Sequence, residues 1–152
     1  MNIRQATTQQ DIAATRALFK EYAAWLGVDL RFQGFDAELA GLPGLYAPPR
    51  GRLLLAWADS AAGCVALRPL SDSVCEMKRL FVRPAFRGEG VGRMLAEKVV
   101  AEAMAIGYAS MRLDTLPAMN AATKLYESLG FARIPAYYAT PLADTIFMEL
   151  KL

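Results

Sequence analysis

The sequence predicts a mixed α/β fold with a mostly antiparallel sheet and helices on both of its faces. Short apolar runs typical of strands alternate with longer stretches in which apolar residues recur at helical spacing. Three strand-like runs follow one another between residues 52 and 82, which indicates an antiparallel meander. A helical stretch separates the third run from the next one, and such a crossover makes those two strands parallel.

The chain begins with a short strand and a long helix. "NIRQA" is extended, and Thr8 with Asp11 three residues later resembles a helix capping box. Gly27 ends the helix, whose apolar face comprises Ile12, Phe19, Tyr22, Ala23 and Leu26. Residues 28–51 include a possible short helix at "DAELA" before "GLPGLYAPPRG", where glycines and prolines interrupt regular structure. We expect this region to form a loop over the core.

The remaining elements alternate between strands and helices. "RLLLAWAD", "AGCVALRPL" and "VCEMKRLFV" predict the meander, and a helix follows from Val91 to Ile106, ended by Gly107. "YASMRLDTL" predicts a strand, "AMNAATKLYESLG" a helix ended by Gly130, and "FARIPAY" and "TIFMELKL" the final strands. The order β-α-(loop or α)-β-β-β-α-β-α-β-β contains no repeat or linker, so we expect one domain over residues 1–152.

Charge and hydropathy limit the possible partners. The 17 basic and 15 acidic residues give a net charge of +2, too small to predict attraction to nucleic acids or membranes. No segment approaches the ~18 consecutive apolar residues of a membrane span, and "MNIRQATTQQDIAAT" lacks the apolar region of a secretion signal. We therefore expect a soluble, cytoplasmic protein with no nucleic-acid or membrane partner.

The absence of histidine removes several kinds of chemistry. Without it a Ser-His-Asp or Cys-His triad is impossible, as is a zinc site that needs imidazole. Two cysteines are too few for a structural metal cluster, so no metal is predicted. Cys64 and Cys75 lie in neighbouring predicted strands, where they could face each other across a hairpin. Buried reduced thiols are favoured over that pairing, because a cytosolic compartment keeps thiols reduced.

The segment "RLFVRPAFRGEGVGRMLAE" has the features of an anion site. It leads from a strand into a helix, whose first amides lack partners and whose dipole favours negative charge there. Glycines allow a tight turn and close approach of phosphate oxygens. Within residues 78–93 only Glu89 is acidic, against the basic residues Lys78, Arg79, Arg83, Arg87 and Arg93. The sequence therefore predicts a phosphate-bearing ligand at this turn.

Two common phosphate motifs do not fit this turn. A P-loop requires Gly-Lys-Ser/Thr, which "GEGVGRM" lacks. A Rossmann fingerprint requires a third glycine where this chain has Leu95, and it opens the first βαβ unit. The segment does match Arg/Gln-x-x-Gly-x-Gly/Ala, with Arg87, Gly90 and Gly92 at the fixed positions.

This motif and its surroundings resemble the GNAT superfamily of acetyl-CoA-dependent N-acetyltransferases. The resemblance covers residues 74–131, from the strand before "RGEGVG" to "AATKLYESLGF". It implies that acetyl-CoA is the co-substrate and that its pyrophosphate binds the loop formed by Arg87, Gly88, Glu89, Gly90, Val91, Gly92 and Arg93. It also implies that pantetheine pairs with Leu80, Phe81 and Val82, at a strand edge that a bulge separates from "YASMRLDT".

The resemblance implies two catalytic residues. The acceptor amine, with a pKa of ~10.4 for lysine-type amines, must lose a proton before it attacks the thioester. Glu76 occupies the position of a catalytic glutamate in several GNAT enzymes; alternatively it pairs with Lys78 or Arg79, or binds the substrate ammonium. Tyr126 in "LYESLGF" matches the tyrosine that protonates the departing thiolate, with a packed phenol as the alternative.

One position departs from the family pattern. The asparagine that usually contacts the cofactor would stand at position 119, where this chain has Met119, and Asn120 follows it. A shift of one residue turns a helical side chain by roughly 100°. The cofactor contact assigned to Asn120 therefore depends on how the helix begins.

The acceptor is the least specified part of the prediction. In the family the acceptor-binding site is formed by the first helix, the following loop and the C-terminal strands. In this chain those elements contain the candidate lining residues Tyr22, Trp25, Arg31, Phe32, Tyr46, Tyr137 and Tyr138. With no acidic tract to bind a basic protein tail, a small or amino-acid-like amine is favoured. The enzyme is expected to be a monomer or homodimer. Two other functions stay open: an acyl-CoA-binding sensor without turnover, and a phosphate- or nucleic-acid-binding module.

Overall fold

A computed structural model describes all residues from 1 to 152, and its elements follow the predicted order. The strands are β1 (Asn2–Gln5), β2 (Arg52–Trp57), β3 (Ala61–Pro69), β4 (Val74–Val82), β5 (Ser110–Thr115), β6 (Ala132–Ile134) and β7 (Ile146–Lys151). The α-helices are α1 (Gln9–Leu26), α2 (Phe35–Ala40), α3 (Val91–Ile106) and α4 (Asn120–Ser128). Single 3-10 turns occur at Arg31–Gln33, Gly44–Tyr46 and Pro84–Phe86.

The seven strands form one sheet in the order β1-β2-β3-β4-β5-β7-β6. Only β4 and β5 are parallel, and every other neighbouring pair is antiparallel. Helices α3 and α4 cover one face, where Leu95, Val99 and Tyr126 belong to the larger buried cluster. Helix α1 and the short α2 cover the other face through Phe19 and Phe35. The predicted mixed sheet with helices on both faces is confirmed.

The start and the end of α1 follow the predicted capping pattern. Thr8 Oγ1 accepts a hydrogen bond of 3.0 Å from the Asp11 amide. Gly27 ends the helix with a φ of 68°, in the left-handed region that glycine adopts readily. The Asp11 carboxylate instead pairs with Arg4, at 2.9 Å, and so ties α1 to β1.

A bulge interrupts β4 near its C-terminal end. Cys64 pairs with Phe81 and Ala66 pairs with Lys78, so Val65 alone stands opposite Arg79 and Leu80. Arg79 has a φ of 61°, which is unusual for a residue other than glycine. Such an insertion bends the strand and increases its local twist. The bulge expected near the end of this strand is confirmed.

Strands β4 and β5 separate next to this bulge. Their pairing covers only Val74–Glu76 against Ser110–Arg112, and neither strand pairs with the other beyond those residues. The later part of β4 therefore presents an unpaired edge towards β5. This separation confirms the splayed parallel pair and provides the space in which the candidate site lies.

The two cysteines lie on opposite faces of the sheet. Cys64 belongs to the cluster under α1, and Cys75 to the cluster under α3. Both are free and buried, as predicted, and the alternative that they face each other is wrong. Burial raises the pKa of both thiols, in the case of Cys75 to about 12, which keeps them neutral.

No helix of the structure has both the length and the apolar character needed to cross a membrane.

Candidate active site

A groove of about 370 Å³ runs along the unpaired edge of β4 to the start of α3. Its lining comes from the β4 edge, the turn after it, and the helices α1, α3 and α4. These residues are Trp25, Leu80, Phe81, Val82, Phe86, Arg87, Gly88, Gly90, Val91, Gly92, Met119, Ala121, Ala122 and Leu125. The groove thus brings together most of the residues that the sequence predicts for the cofactor.

The backbone at the end of this groove is rich in free donors. None of the amides from Gly88 to Arg93 donates a hydrogen bond within the protein, and the first amide to do so is that of Met94, to Gly90. Gly88 and Gly90 have φ angles of 83° and 78°, a conformation that side-chain-bearing residues rarely adopt. Consecutive free amides at a helix N-terminus bind anionic oxygens well, so the turn fits a pyrophosphate.

The charged side chains of the turn have different surroundings. The Arg87 guanidinium lies 5.0 Å from the centre of the Trp25 ring, and its Nε donates to the Val82 carbonyl at 2.9 Å. Arg93 turns away to Ser128, at 2.7 Å. Neither Arg93 nor Glu89 lines the groove, so their predicted contact with the cofactor rests on their backbone amides.

A small, partly open cavity lies between β4 and β5 where the strands separate, and is called the splay cavity below. It has a volume of about 20 Å³ and is lined by Tyr22, Met77, Lys78, Arg79, Leu80, Asp114, Met119 and Tyr126. A second cavity of about 20 Å³, the loop cavity, lies beside it under residues 138–145 and shares Tyr22, Arg79, Asp114 and Met119 with it. Leu80 and Met119 line both the splay cavity and the groove, so these two spaces are adjacent, and the loop cavity adjoins the splay cavity.

Tyr126 reaches the splay cavity from α4. Its ring packs on that of Phe131, with 5.8 Å between the ring centres, and the residue is 5% exposed. Its hydroxyl has no hydrogen-bond partner among the side-chain interactions of the protein. Burial raises the pKa of Tyr126 well above its ordinary value, so the phenol is neutral and retains a proton to donate.

Glu76 lies on β4 but outside both cavities. One carboxylate oxygen accepts from Arg68 Nε at 2.8 Å, and the other accepts from the Tyr137 hydroxyl at 2.6 Å. Lys78 Nζ also lies 3.8 Å from the oxygen that accepts from Arg68. Burial opposes ionisation of Glu76, but Lys78, Tyr137 and Arg68 together hold the pKa of its carboxyl below the ordinary value. Glu76 is therefore a charged, fully engaged group.

Lys78 connects Glu76 to the splay cavity. Its side chain is only 7% exposed, and its ammonium donates to Gln33 Oε1 at 3.2 Å. Burial lowers the pKa of Lys78, although Glu76 opposes that effect. Its neighbour Arg79 is held by Glu38 at 2.9 Å. Of the two cations that line the splay cavity, Lys78 and Arg79, Lys78 therefore has N–H donors left for a ligand, because its ammonium has three donors and only one hydrogen bond to Gln33.

Asp114, which sequence reasoning missed, lies at the end of β5 and lines both cavities. Its carboxylate accepts a hydrogen bond of 2.8 Å from the Tyr138 hydroxyl. The available signal was the alternation in "SMRLDT", where Met111 and Leu113 are buried in the core cluster and Arg112 and Asp114 therefore point to the other face. Charged residues at alternate positions of a central strand indicate that this face of the strand could line a binding site.

The structure separates the residues that the sequence suggested for the acceptor. Tyr22 and Tyr138 line the loop cavity, whereas Trp25 lies on the groove. The others lie elsewhere: Arg31 pairs with Asp29 at the surface, Phe32 is exposed, Tyr46 packs on Phe19, and Tyr137 donates to Glu76. Asn120 is exposed at the first position of α4 and does not line the groove. Its neighbour Met119 does line the groove.

The class of protein follows from these spaces. The unpaired edge of β4 leads to the free amides from Gly88 to Arg93, which suits a long, phosphate-bearing cofactor. The splay cavity, next to this edge, contains the neutral phenol of Tyr126. That arrangement is expected of an acyltransferase that uses coenzyme A thioesters.

Comparison with known proteins identifies the family. The Acetyltransferase (GNAT) family model matches residues 13–131, and the chain therefore belongs to this family. It is 38% identical to an uncharacterized N-acetyltransferase of Schizosaccharomyces pombe, over 100% of this chain and 95% of that protein. It is also 33% identical to human N-acetylaspartate synthetase, over 75% of this chain but only 41% of that protein.

Solved structures agree on the fold. An acetyltransferase from Streptococcus agalactiae superimposes with a TM-score of 0.80 at 21% identity, covering 99% of this chain and 98% of that one. Similar structures also include complexes with acetyl-CoA and with coenzyme A, at 22% and 15% identity.

Proposed function

We propose that this protein transfers the acetyl group of acetyl-CoA to the primary amine of a small, amino-acid-like acceptor. The observation that carries the proposal is the adjacency of the groove and the splay cavity, which share Leu80 and Met119 in their linings. A cofactor held in the groove presents its acyl end to the cavity that contains Tyr126. In this proposal residues 1–152 act as one catalytic domain, and both substrates bind before the acetyl group moves.

Three parts of the chain would hold acetyl-CoA. The free amides from Gly88 to Arg93 would bind the pyrophosphate, and the edge of β4 from Leu80 to Val82 that is unpaired towards β5 would pair with the pantetheine. Arg87 adds positive charge beside them, stacked on Trp25. When bound, acetyl-CoA supplies a thioester, which is an activated acyl donor.

Tyr126 is proposed as the general acid. A departing thiolate, whose conjugate acid has a pKa of ~8.5, leaves more readily when a neighbouring group protonates it. The phenol of Tyr126 is neutral, lines the splay cavity and donates to no protein group, so its proton is available there.

Glu76 has a less direct role in this proposal than the sequence predicts. Because both of its oxygens are engaged and it lines neither cavity, it is proposed to hold Lys78 and Tyr137 in place. The assignment of Glu76 as the base stays a prediction, and the experiments below compare the two roles.

The acceptor class is supported by charge. Asp114 lines both small cavities and Lys78 lines the splay cavity, so the ammonium and the carboxylate of one acceptor would have partners of opposite sign in adjacent spaces. Similarity to N-acetylaspartate synthetase supports an acceptor that carries a carboxylate.

Coenzyme A release with a panel of paired amines tests the proposal. Each amino acid, such as aspartate or alanine, is compared with the amine that lacks its α-carboxylate. We expect release with the amino acids and at least roughly tenfold lower kcat/KM with the decarboxylated amines, as loss of one charged contact of about 1.5–3 kcal/mol requires. Equal rates within each pair would contradict the acceptor class. Binding of acetyl-CoA without release by any amine would indicate a sensor instead.

A further inference from the structure

We infer that Asp114 binds the acceptor ammonium and accepts its proton. The inference rests on the proposed function and adds a catalytic residue to it. It starts from the acidic groups around the two cavities, because a carboxylate is the only base of moderate strength in a chain without histidine.

Asp114 is the one acidic residue that lines either cavity. The other acids near the splay of the strands are held by cations: Glu76 by Arg68, Glu38 by Arg79, and Glu149 by Arg112. Asp114 forms no ion pair with any lysine or arginine of the chain, and Tyr138 is its hydrogen-bond donor. Its carboxylate therefore has the capacity to bind a cation that comes from outside the protein.

The space next to Asp114 matches the size of that cation. Each cavity has a volume of about 20 Å³, and a site of ~10–15 Å³ or more admits one water molecule. An ammonium group is close to water in size and hydrogen-bonding capacity. A primary amine thus fits between Asp114 and the end of the groove, whereas a second substituent on the nitrogen would require the walls to move.

The position also suits the proton transfers. Asp114 and Tyr126 both line the splay cavity, and Leu80 lines that cavity as well as the groove. The ammonium loses one proton to Asp114 and then attacks the thioester carbonyl carbon, forming the C–N bond as the C–S bond breaks. Tyr126 gives its proton to the sulfur and regains one from the nitrogen. The products are the amide and the thiol of coenzyme A, and Asp114 then releases the proton that it took from the ammonium.

The groups that face Asp114 come from four parts of the fold. α1, β4, α4 and the segment before β7 contribute Tyr22, Lys78, Arg79, Tyr126, Tyr137 and Tyr138. Burial raises the pKa of Tyr126 and Tyr138, and raises that of Tyr22 to about 12, so these phenols stay neutral between pH 5 and 9. Lys78 is the one group of this set whose pKa is lowered, because burial disfavours its charged form.

The test compares Asp114→Asn with Tyr138→Phe and Glu76→Gln. Asp114→Asn keeps an acceptor oxygen for Tyr138 but cannot take a proton, so kcat/KM for the amine should fall by about 10²–10⁴ and the acidic limb of its pH profile should disappear. The dissociation constant for acetyl-CoA should stay within about twofold, since Asp114 does not line the groove. Asp114→Glu should recover part of the rate.

Tyr138→Phe is the matched control. It removes the hydrogen bond at 2.8 Å but leaves the carboxylate, so the acidic limb should persist. Glu76→Gln should retain the limb. The inference is overturned if Asp114→Asn keeps both the limb and wild-type kcat/KM, or if Glu76→Gln alone abolishes the limb. Absence of turnover by the wild type with every amine would overturn the proposed function as well.

Discussion

At the scale of single residues, Tyr126 is the side chain whose chemistry is most clearly separable from its packing. Tyr126→Phe removes only the hydroxyl, which has no protein partner, and leaves the ring against Phe131. We therefore expect kcat to fall by about 10²–10⁴, as for loss of a general acid, with little change in thermal stability. Steady-state kinetics and a thermal melt measure the two effects. Wild-type turnover by the variant would show that Tyr126 has only a packing role.

Glu76 offers the opposite case, a residue whose substitution should affect stability first. Glu76→Gln leaves Arg68 and the buried Lys78 without their counter-charge. Removing one partner of a buried pair costs about 3–5 kcal/mol, and because the Arg68 side chain is 34% exposed we expect about 3 kcal/mol or less. Urea denaturation at pH 7 measures the difference.

The pH dependence of that difference checks its cause. The pKa of Glu76 is lower in the folded protein than the 4.5 of an ordinary glutamate, so its charge stabilises the fold above about pH 4.5. That contribution is lost as the pH falls through the folded value. The free energies of unfolding of wild type and Glu76→Gln should therefore converge as the pH falls below the folded pKa of Glu76, and a gap that stays constant would point to packing instead.

At the scale of elements, the turn before α3 and the β4 edge act together to form the cofactor groove. Gly92 lies where they meet: a Cβ at this position would be 3.7 Å from Val82 and 4.0 Å from Leu125, which is ordinary contact. Gly92→Val places two further methyl groups towards the groove without a backbone clash. The turn should then bind its ligand poorly while the fold is retained.

Thermal melts with and without acetyl-CoA measure this prediction. At a ligand concentration of ~100 Kd the wild type gains about 2.7 kcal/mol, or roughly 5–10 °C for a chain of this length. Gly92→Val should lose most of that shift. Met94→Val also introduces valine near the start of α3, but at an exposed position that does not line the groove, and should keep the shift. A full shift in the glycine variant would show that the ligand binds elsewhere.

The helices and strands could be predicted from the sequence because the patterns that mark them involve residues close together in the chain. Thr8, Gly27 and Gly107 mark helix ends through contacts within one turn, and the three meander strands follow from short apolar runs. The environment of the site depends on register instead. The bulge at Arg79 and the length of each turn decide which face every side chain occupies, and therefore place Cys64 and Cys75 on opposite faces.

The same reason explains which parts of the site were missed. The glycine turn and Tyr126 carry motifs, so their residues could be named in advance. The pairing of Glu76 with Arg68 follows from the cross-strand register of β3 and β4, and the hydrogen bond from Tyr138 to Asp114 joins residues 24 apart in the chain. Neither contact leaves a local pattern in the sequence.

At the scale of the whole molecule, the distribution of charge decides between a cofactor turn and a nucleic-acid surface. Four of the five basic residues of segment 78–93 are paired with carboxylates, namely Lys78 with Glu76, Arg79 with Glu38, Arg83 with Glu21 and Arg93 with Glu97, which leaves Arg87 without an acidic partner. The net charge of the chain is +2. Few cations are thus available to displace counterions from a phosphate backbone, which is the main source of nonspecific nucleic-acid affinity.

We therefore expect no binding of a fluorescent oligonucleotide, even at a low salt concentration of about 50 mM, where such binding is strongest. Fluorescence anisotropy measures it, with acetyl-CoA-dependent stabilisation of the same sample as the positive control for folded protein. Oligonucleotide binding that weakens steeply with salt and is unaffected by acetyl-CoA would show that the cations are more accessible than their contacts indicate. Binding that acetyl-CoA displaces would instead place the oligonucleotide phosphates on the amides from Gly88 to Arg93, since these donors are free in the protein.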